Sequence, residues 1–298
     1  MIQKQAFLFP AFITDYTQKE LELLSGNGID FNVYIKSASD KLGIVLPKFS
    51  YTDENYRNDE LLAQIIAYLF SCAFSDLLMK KGVKPDFGAG YSMGIYANLY
   101  AAGSIKLEDG IQIIFNAFNL VNELSCSGQY GMGGVIGLSN DDINQLINKS
   151  NFEIEIINTN SEFSHVIAGK KHDVNKVLEL AKTEGALNVV ELNVKTPYHS
   201  KFLSVFADRF ASFINTIEIS KPQFSIISTH DQRSINSVDE IRKELVYNLT
   251  SKINWYKTMQ VLLSRSVNLF YECGAGKDLS KIARFIDGNF KVIPINKI

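Results

Sequence analysis

Gly90-Tyr91-Ser92-Met93-Gly94 sets a serine between two glycines. This is the G-x-S-x-G pattern, in which a strand turns sharply into a helix and presents a serine hydroxyl as a nucleophile. Such a hydroxyl needs a base within hydrogen-bond reach and donors for the oxyanion that develops on its target. The Met93 backbone N–H, at the start of the following helix, is an expected oxyanion donor with the helix dipole behind it. Four histidines are available as base: His165, His172, His199 and His230. His165 lies inside an apolar strand pattern and reads as a packed core residue, His172 follows two lysines at a helix start, and His230 sits in a polar loop. His199, in Lys195-Thr196-Pro197-Tyr198-His199-Ser200, falls where a strand ends at a proline and a helix begins. Active sites of α/β sheets gather at such carboxyl edges of strands. His199 is therefore the expected base for Ser92.

These groups need elements to hold them. Ala6 to Phe9 reads as a short apolar strand stopped by Pro10. From Asp59 to Lys81 apolar residues recur as adjacent pairs every four positions, one face of a long helix with Gly82 as its stop. A strand at 83–87, the glycine-rich turn and a helix from Met93 to Ala102 follow, with another helix from Leu107 to about Ser125. The middle third changes character: strand Gly131–Leu138, helix Asp141–Asn148, strands Phe152–Asn158 and His165–Ala168 around an Asn-Thr-Asn-Ser turn, helix Asp173–Glu184, strand Leu187–Val194. That β-α-β-β-α-β order is ferredoxin-like. A helix from Lys201 to Ile214, a strand at Phe224–Ile227, a helix near Trp255–Ser264, a strand Asn268–Glu272 and a helix Leu279–Ile286 complete the chain. The expected architecture is an α/β body formed by 1–126 and 196–298, with a ferredoxin-like subdomain inserted at 127–195.

The 298 residues are 46% hydrophobic and 21% charged, enough for a sizeable core, and a net charge of -2 argues against a nucleic-acid partner. Cys72, Cys126 and Cys273 are far apart and odd in number, which points to no disulfide framework, no metal site and a reducing compartment. No uninterrupted apolar run approaches ~18 residues, so a soluble, cytoplasmic protein without a membrane span is expected.

With Ala97 to Gly103 after the elbow, Pro197-x-His199 and the late Glu272-Cys273-Gly274-Ala275-Gly276-Lys277, the chain resembles the acyl-carrier-protein acyltransferases. That family includes malonyl-CoA:carrier-protein transacylases and polyketide acyltransferase domains. The similarity runs from the first strand to the last helix, with Asn158-Thr159-Asn160-Ser161 and Val166-Ile167-Ala168-Gly169 matching the family's small-subdomain hairpin. The resemblance implies an α/β-hydrolase-like body and an acyl-Ser92 intermediate formed with His199 as base. It also implies a histidine oriented by backbone carbonyls, expected from Gly274-Ala275-Gly276. The implied partner is acyl carrier protein, with acyl-CoA as an alternative donor. The phosphopantetheine thiol is then co-substrate, no cofactor or metal is bound, and the chain acts as a monomer. Lys170, Lys171, Lys195 and Lys201 are candidate carrier contacts, and Ala117, Tyr91, Asn160 and Ala11 candidate substrate contacts.

Two departures from the family matter. Its opening Phe-Pro-Gly-Gln-Gly is here Phe9-Pro10-Ala11-Phe12-Ile13, so the second oxyanion donor becomes the Phe12 N–H. The arginine with which malonyl-specific members pair their carboxylate falls at about Ala117, and no arginine or lysine occurs from Glu108 through Asn148. A buried carboxylate without its partner costs ~3–5 kcal/mol, so a neutral acyl group is expected in fatty-acid or polyketide biosynthesis. The alternative is a hydrolase that clears acyl units from carrier protein. A third reading, a non-catalytic docking homologue, is opposed by the intact Ser92 and His199.

Overall fold

Strand β1 (Lys4–Phe9) buries Phe7 and Phe9 on one face and Ala6 and Leu8 on the other. A strand with two apolar faces belongs in the middle of a covered sheet, and β1 lies there. The computed structural model describes residues 4–11, 16–46, 48–125, 128–150 and 152–298. After β1 come α1 (Gln18–Gly26), α2 (Phe31–Leu42), α3 (Asn55–Asn58), α4 (Glu60–Lys80), β2 (Phe87–Gly90), α5 (Gly94–Ala101) and α6 (Leu107–Ser125). A second group follows: β3 (Tyr130–Ile136), α7 (Asn140–Ser150), β4 (Ile154–Ser161), β5 (Ser164–Lys170), α8 (Lys171–Thr183) and β6 (Asn188–Leu192). The chain then adds α9 (Ala207–Ile214), β7 (Ser225–Ile227), β8 (Ser234–Ile235), α10 (Val238–Thr250), β9 (Ile253–Asn254), α11 (Trp255–Ser264), β10 (Val267–Glu272), α12 (Asp278–Ile282) and β11 (Lys291–Pro294).

The body sheet has the order β11-β10-β1-β2-β7-β8, parallel except for β8 at its edge. Helices α2, α4, α5 and α6 contribute to the core on one face, and α11 with Trp255, Met259 and Leu262 covers the other. The second sheet runs β6-β3-β5-β4-β9. Its first four strands are antiparallel in the ferredoxin-like order, and the short β9 joins parallel to β4 from a part of the chain assigned by sequence to the body. The fold is thus α/β, with an α/β-hydrolase-like body and a ferredoxin-like subdomain.

Helix α4 is long and apolar enough to cross a membrane by length and composition, but 83% of its most apolar window is buried inside the fold. Its Phe70 stacks on Phe31 at 4.2 Å and packs edge-on to Phe49 at 5.6 Å. It is the core helix of the body, with Asp59 capping it through the Leu62 N–H.

Two expectations need correction. Asn158-Thr159-Asn160-Ser161 is not a turn: it is strand, with register shifts on either side of Asn158 and Thr159, and the reversal falls at Glu162-Phe163. The segment 201–214 is not one helix, because Lys201–Phe206 is a 3-10 turn that runs into α9. Helices α1, α2 and α10 went unrecognised, although Thr17-x-x-Glu20 and Ser237-x-x-Glu240 are complete capping boxes at the starts of α1 and α10.

Candidate active site

Ser92 sits between β2 and α5 with φ +54°, a left-handed conformation that a non-glycine residue adopts at a cost of roughly 1–3 kcal/mol. The two neighbouring glycines make the turn possible. A Cβ on Gly94 would lie 2.2 Å from the Phe9 carbonyl oxygen, and one on Gly90 would lie 2.2 Å from the Ile95 nitrogen. Strand β1, strand β2 and helix α5 are therefore pressed together at the serine. Among the described residues no carbonyl accepts from the Met93 N–H, which leaves it available at the N-terminus of α5. The other expected donor, Phe12, lies outside the described residues.

His199 also has a left-handed backbone, φ +61°, and its N–H donates to the Leu249 carbonyl at 3.2 Å. Its Nε2 is 2.6 Å from Ser92 Oγ. The ring is buried, and desolvation depresses its pKa to about 4, against which the Asn248 backbone carbonyl favours the protonated form. Nδ1 itself has no hydrogen-bond partner among the described residues. The carbonyl facing the histidine thus comes from α10 and not from Gly274-Ala275-Gly276. Gly274 instead packs against Pro10, where a Cβ would approach Cγ to 2.4 Å.

Asn248 has a second role that sequence reading missed: its Nδ2 donates to the Ser92 carbonyl at 3.1 Å. The Ser237-x-x-Glu240 box that starts α10 is the signal that would have placed it on a helix.

A cavity of about 180 Å³ opens beside the Ser92–His199 pair. Ala11, Tyr91, Met93 and Ala117 all line it, together with Gln64 from α4, Ile114 and Phe118 from α6, and Met132, Ile157, Val166 and Leu192 from the small sheet. No arginine, lysine, aspartate or glutamate is among the described residues that line it. Asn160 does not line it. The Tyr91 hydroxyl donates to Asn160 Oδ1 at 2.9 Å and accepts from Asn158 Nδ2 at 2.5 Å, so the asparagines tie the elbow to β4. Asn158, and not Asn160, reaches the cavity wall. Burial pushes the Tyr91 phenol up to about 12, keeping it protonated as a donor, and its ring packs edge-on to Trp255 at 5.4 Å.

The other histidines lie apart from Ser92. His165 is buried in β5 between Thr159 and Glu162, and His172 is exposed beside Asp173. His230 stacks on Tyr247 at 4.9 Å and borders, with His199, a second and more polar cleft of about 1020 Å³. Three of the lysines proposed as carrier contacts are in ion pairs: Lys170 with Glu153, Lys171 with Glu191 and Lys201 with Glu155.

A serine on a strand–helix elbow, a histidine at its hydroxyl and a ferredoxin-like subdomain across the cleft define the class: an acyltransferase of the serine–histidine type. The family profile described as the acyl transferase domain matches residues 61–273. The chain belongs to that family. It is 26% identical over 300 residues to a malonyl CoA-acyl carrier protein transacylase of Staphylococcus aureus (strain MRSA252), covering 100% of this chain and 97% of the relative. The malonyl CoA-acyl carrier protein transacylase structure from Coxiella burnetii superposes with a TM-score of 0.89 at 26% identity, over 99% of this chain and 94% of that one. A type II polyketide synthase acyl-carrier protein in complex with its malonyl-transacylase gives a TM-score of 0.89 at 25% identity, over 99% of this chain and 97% of that one.

Proposed function

We propose that this chain moves a neutral, non-carboxylated acyl group between thioesters through acyl-Ser92, with acyl carrier protein as a donor or acceptor. In the first half-reaction His199 Nε2 takes the Ser92 proton as Oγ attacks the thioester carbonyl. The Met93 N–H, with Phe12 N–H as the second donor, stabilises the oxyanion. Collapse expels the thiolate, which receives the proton from His199 and leaves as the phosphopantetheine thiol. In the second half-reaction a new thiol gives its proton to His199 and attacks acyl-Ser92. A ring held neutral by burial is already in the form this needs.

The observation that carries the acyl choice is a cavity next to Ser92 with Ala117 in its wall and no cationic side chain among the described residues that line it. The relatives are named for malonyl transfer, but a malonyl carboxylate here would be desolvated without a partner, at ~3–5 kcal/mol. One observation favours a second reading, hydrolysis: His199 borders a polar cleft as well as the apolar cavity, and a water activated there would be the acceptor in place of a thiol. The test is intact-mass measurement after incubation with acetyl-, butyryl- and malonyl-carrier protein. A neutral acyl adduct, absent in Ser92→Ala and passed to added carrier, supports the transferase. Free acid from a short-lived adduct supports the hydrolase, and efficient malonyl loading overturns the neutral-acyl reading.

A further inference from the structure

Gln64 stands in α4 among apolar neighbours: Ala63, Ile65, Ile66 and Ala67 are all buried, and Gln64 itself is only 7% exposed while lining the acyl cavity. A leucine would fill such a position at no hydrogen-bonding cost, whereas an amide left short of partners there is destabilising. Its partners are few. Nε2 is 3.4 Å from Glu60 Oε1 and 3.4 Å from the Tyr198 hydroxyl, both at the long end of the range. The Tyr198 hydroxyl also interacts with the side chains of Glu60 and Thr196, so its own capacity is taken up.

No donor among the described residues reaches Gln64 Oε1. The amide orientation is fixed by chemistry, since the opposite flip would set Oε1 against the Glu60 carboxyl oxygen. Gln64 thus lines the cavity with a side-chain oxygen that no donor among the described residues takes up, in an otherwise largely apolar wall. An acidic side chain stands behind it, which disfavours an anionic ligand.

Resting on the acyltransferase reading, we infer that the Gln64 side-chain oxygen is a specificity determinant for a hydroxyl on the acyl chain, so that the preferred substrates are short hydroxyacyl thioesters. An acceptor without a donor selects an O–H; a keto oxygen would face a like dipole, and a plain alkyl chain would bury the amide oxygen dry. A cavity of about 180 Å³ is close to the ~150 Å³ that holds a benzene-sized group, so a chain of roughly six heavy atoms fits.

The experiment compares butyryl, 3-hydroxybutyryl, 4-hydroxybutyryl and acetoacetyl thioesters as donors to Ser92, reading kcat/KM by adduct mass, in the native chain and in Gln64→Leu. The expected result is that at least one hydroxybutyryl donor exceeds butyryl by about tenfold in the native chain, while Gln64→Leu inverts the order by improving butyryl. Butyryl or acetoacetyl matching both hydroxybutyryl donors in the native chain overturns the inference, without needing the variant to fold. A preference retained in folded Gln64→Leu assigns the hydroxyl to another residue and also overturns it. No Ser92 adduct with any donor instead removes the acyltransferase reading on which the inference stands.

Discussion

Asn248 bears on both members of the reactive pair from one position on α10: its Nδ2 donates to the Ser92 carbonyl at 3.1 Å, and its own backbone carbonyl favours the protonated form of the His199 ring. Asn248 is 156 positions from Ser92, so the elbow and the histidine are set relative to each other by a helix and not by local sequence. The two contacts separate by mutation. Asn248→Ala removes the side-chain bond and keeps the carbonyl, so acylation should slow about tenfold, the worth of roughly 1–1.5 kcal/mol. Ser92→Ala should abolish the adduct. Single-turnover acylation monitored by mass distinguishes the two, and an unchanged rate in Asn248→Ala would show that the strained Ser92 backbone holds itself.

Burial of His199 has opposite consequences for rate and for stability. An exposed histidine titrates near 6.5, whereas this ring does so at about 4. The base form therefore persists through mildly acidic conditions, and acylation should stay on its plateau down to about pH 5 and fall tenfold per unit below about 4. In the unfolded chain the same ring takes up a proton below about 6.5. Between those values the unfolded state binds more protons, so stability falls as pH drops, by on the order of 3 kcal/mol from this group. Denaturant titrations from pH 7 to pH 4 should show a shallower loss in His199→Gln than in the native chain.

The elbow was legible because its glycines answer a steric demand visible in the pattern itself: at Gly90 and Gly94 no side chain fits between strand and helix. His199 was legible because a proline and a strand end confine it. Asn248 was not, since it faces the histidine through a backbone carbonyl that any residue type carries. Asn158-Thr159-Asn160-Ser161 misled for a related reason. Those residue types favour turns, but pairing to β5 and β9 holds them extended, and Asn158 and Asn160 then meet the same Tyr91 hydroxyl. Phe12, whose N–H was the expected second oxyanion donor, falls outside the described residues.

The Tyr91 clasp leads to a prediction about where the acyl group goes. Tyr91→Phe deletes the hydroxyl that accepts from Asn158 and donates to Asn160, leaving the buried Asn158 amide and the half-buried Asn160 amide with one bond fewer each. The expected loss of stability is about 1–3 kcal/mol, measured by urea unfolding. Because that hydroxyl pins β4 of the small sheet to the elbow, loosening it should admit water to acyl-Ser92. The ratio of free acid to transferred acyl should then rise several-fold in a competition between water and carrier thiol. A stability loss with an unchanged ratio would make the clasp a packing feature only.

Ala117 is the position at which charge in the cavity can be restored. It is 6% exposed on α6 and lines the cavity. Ala117→Arg would bring a guanidinium into a wall with no charged group among its described residues, and without a ligand the buried charge should cost about 3–5 kcal/mol, seen as a lower denaturation midpoint. A malonyl carboxylate would supply the missing partner, bidentately and in a dry setting where such pairs are strongest. The variant should therefore be stabilised by malonyl-CoA in a way the native chain is not. Its malonyl-to-acetyl loading ratio should rise at least tenfold, with acetyl loading falling because an unpaired arginine now crowds the site. If the folded variant loads malonyl no better than the native chain does, the charge at Ala117 is not what sets acyl choice, and the neutral-acyl reading loses its physical basis.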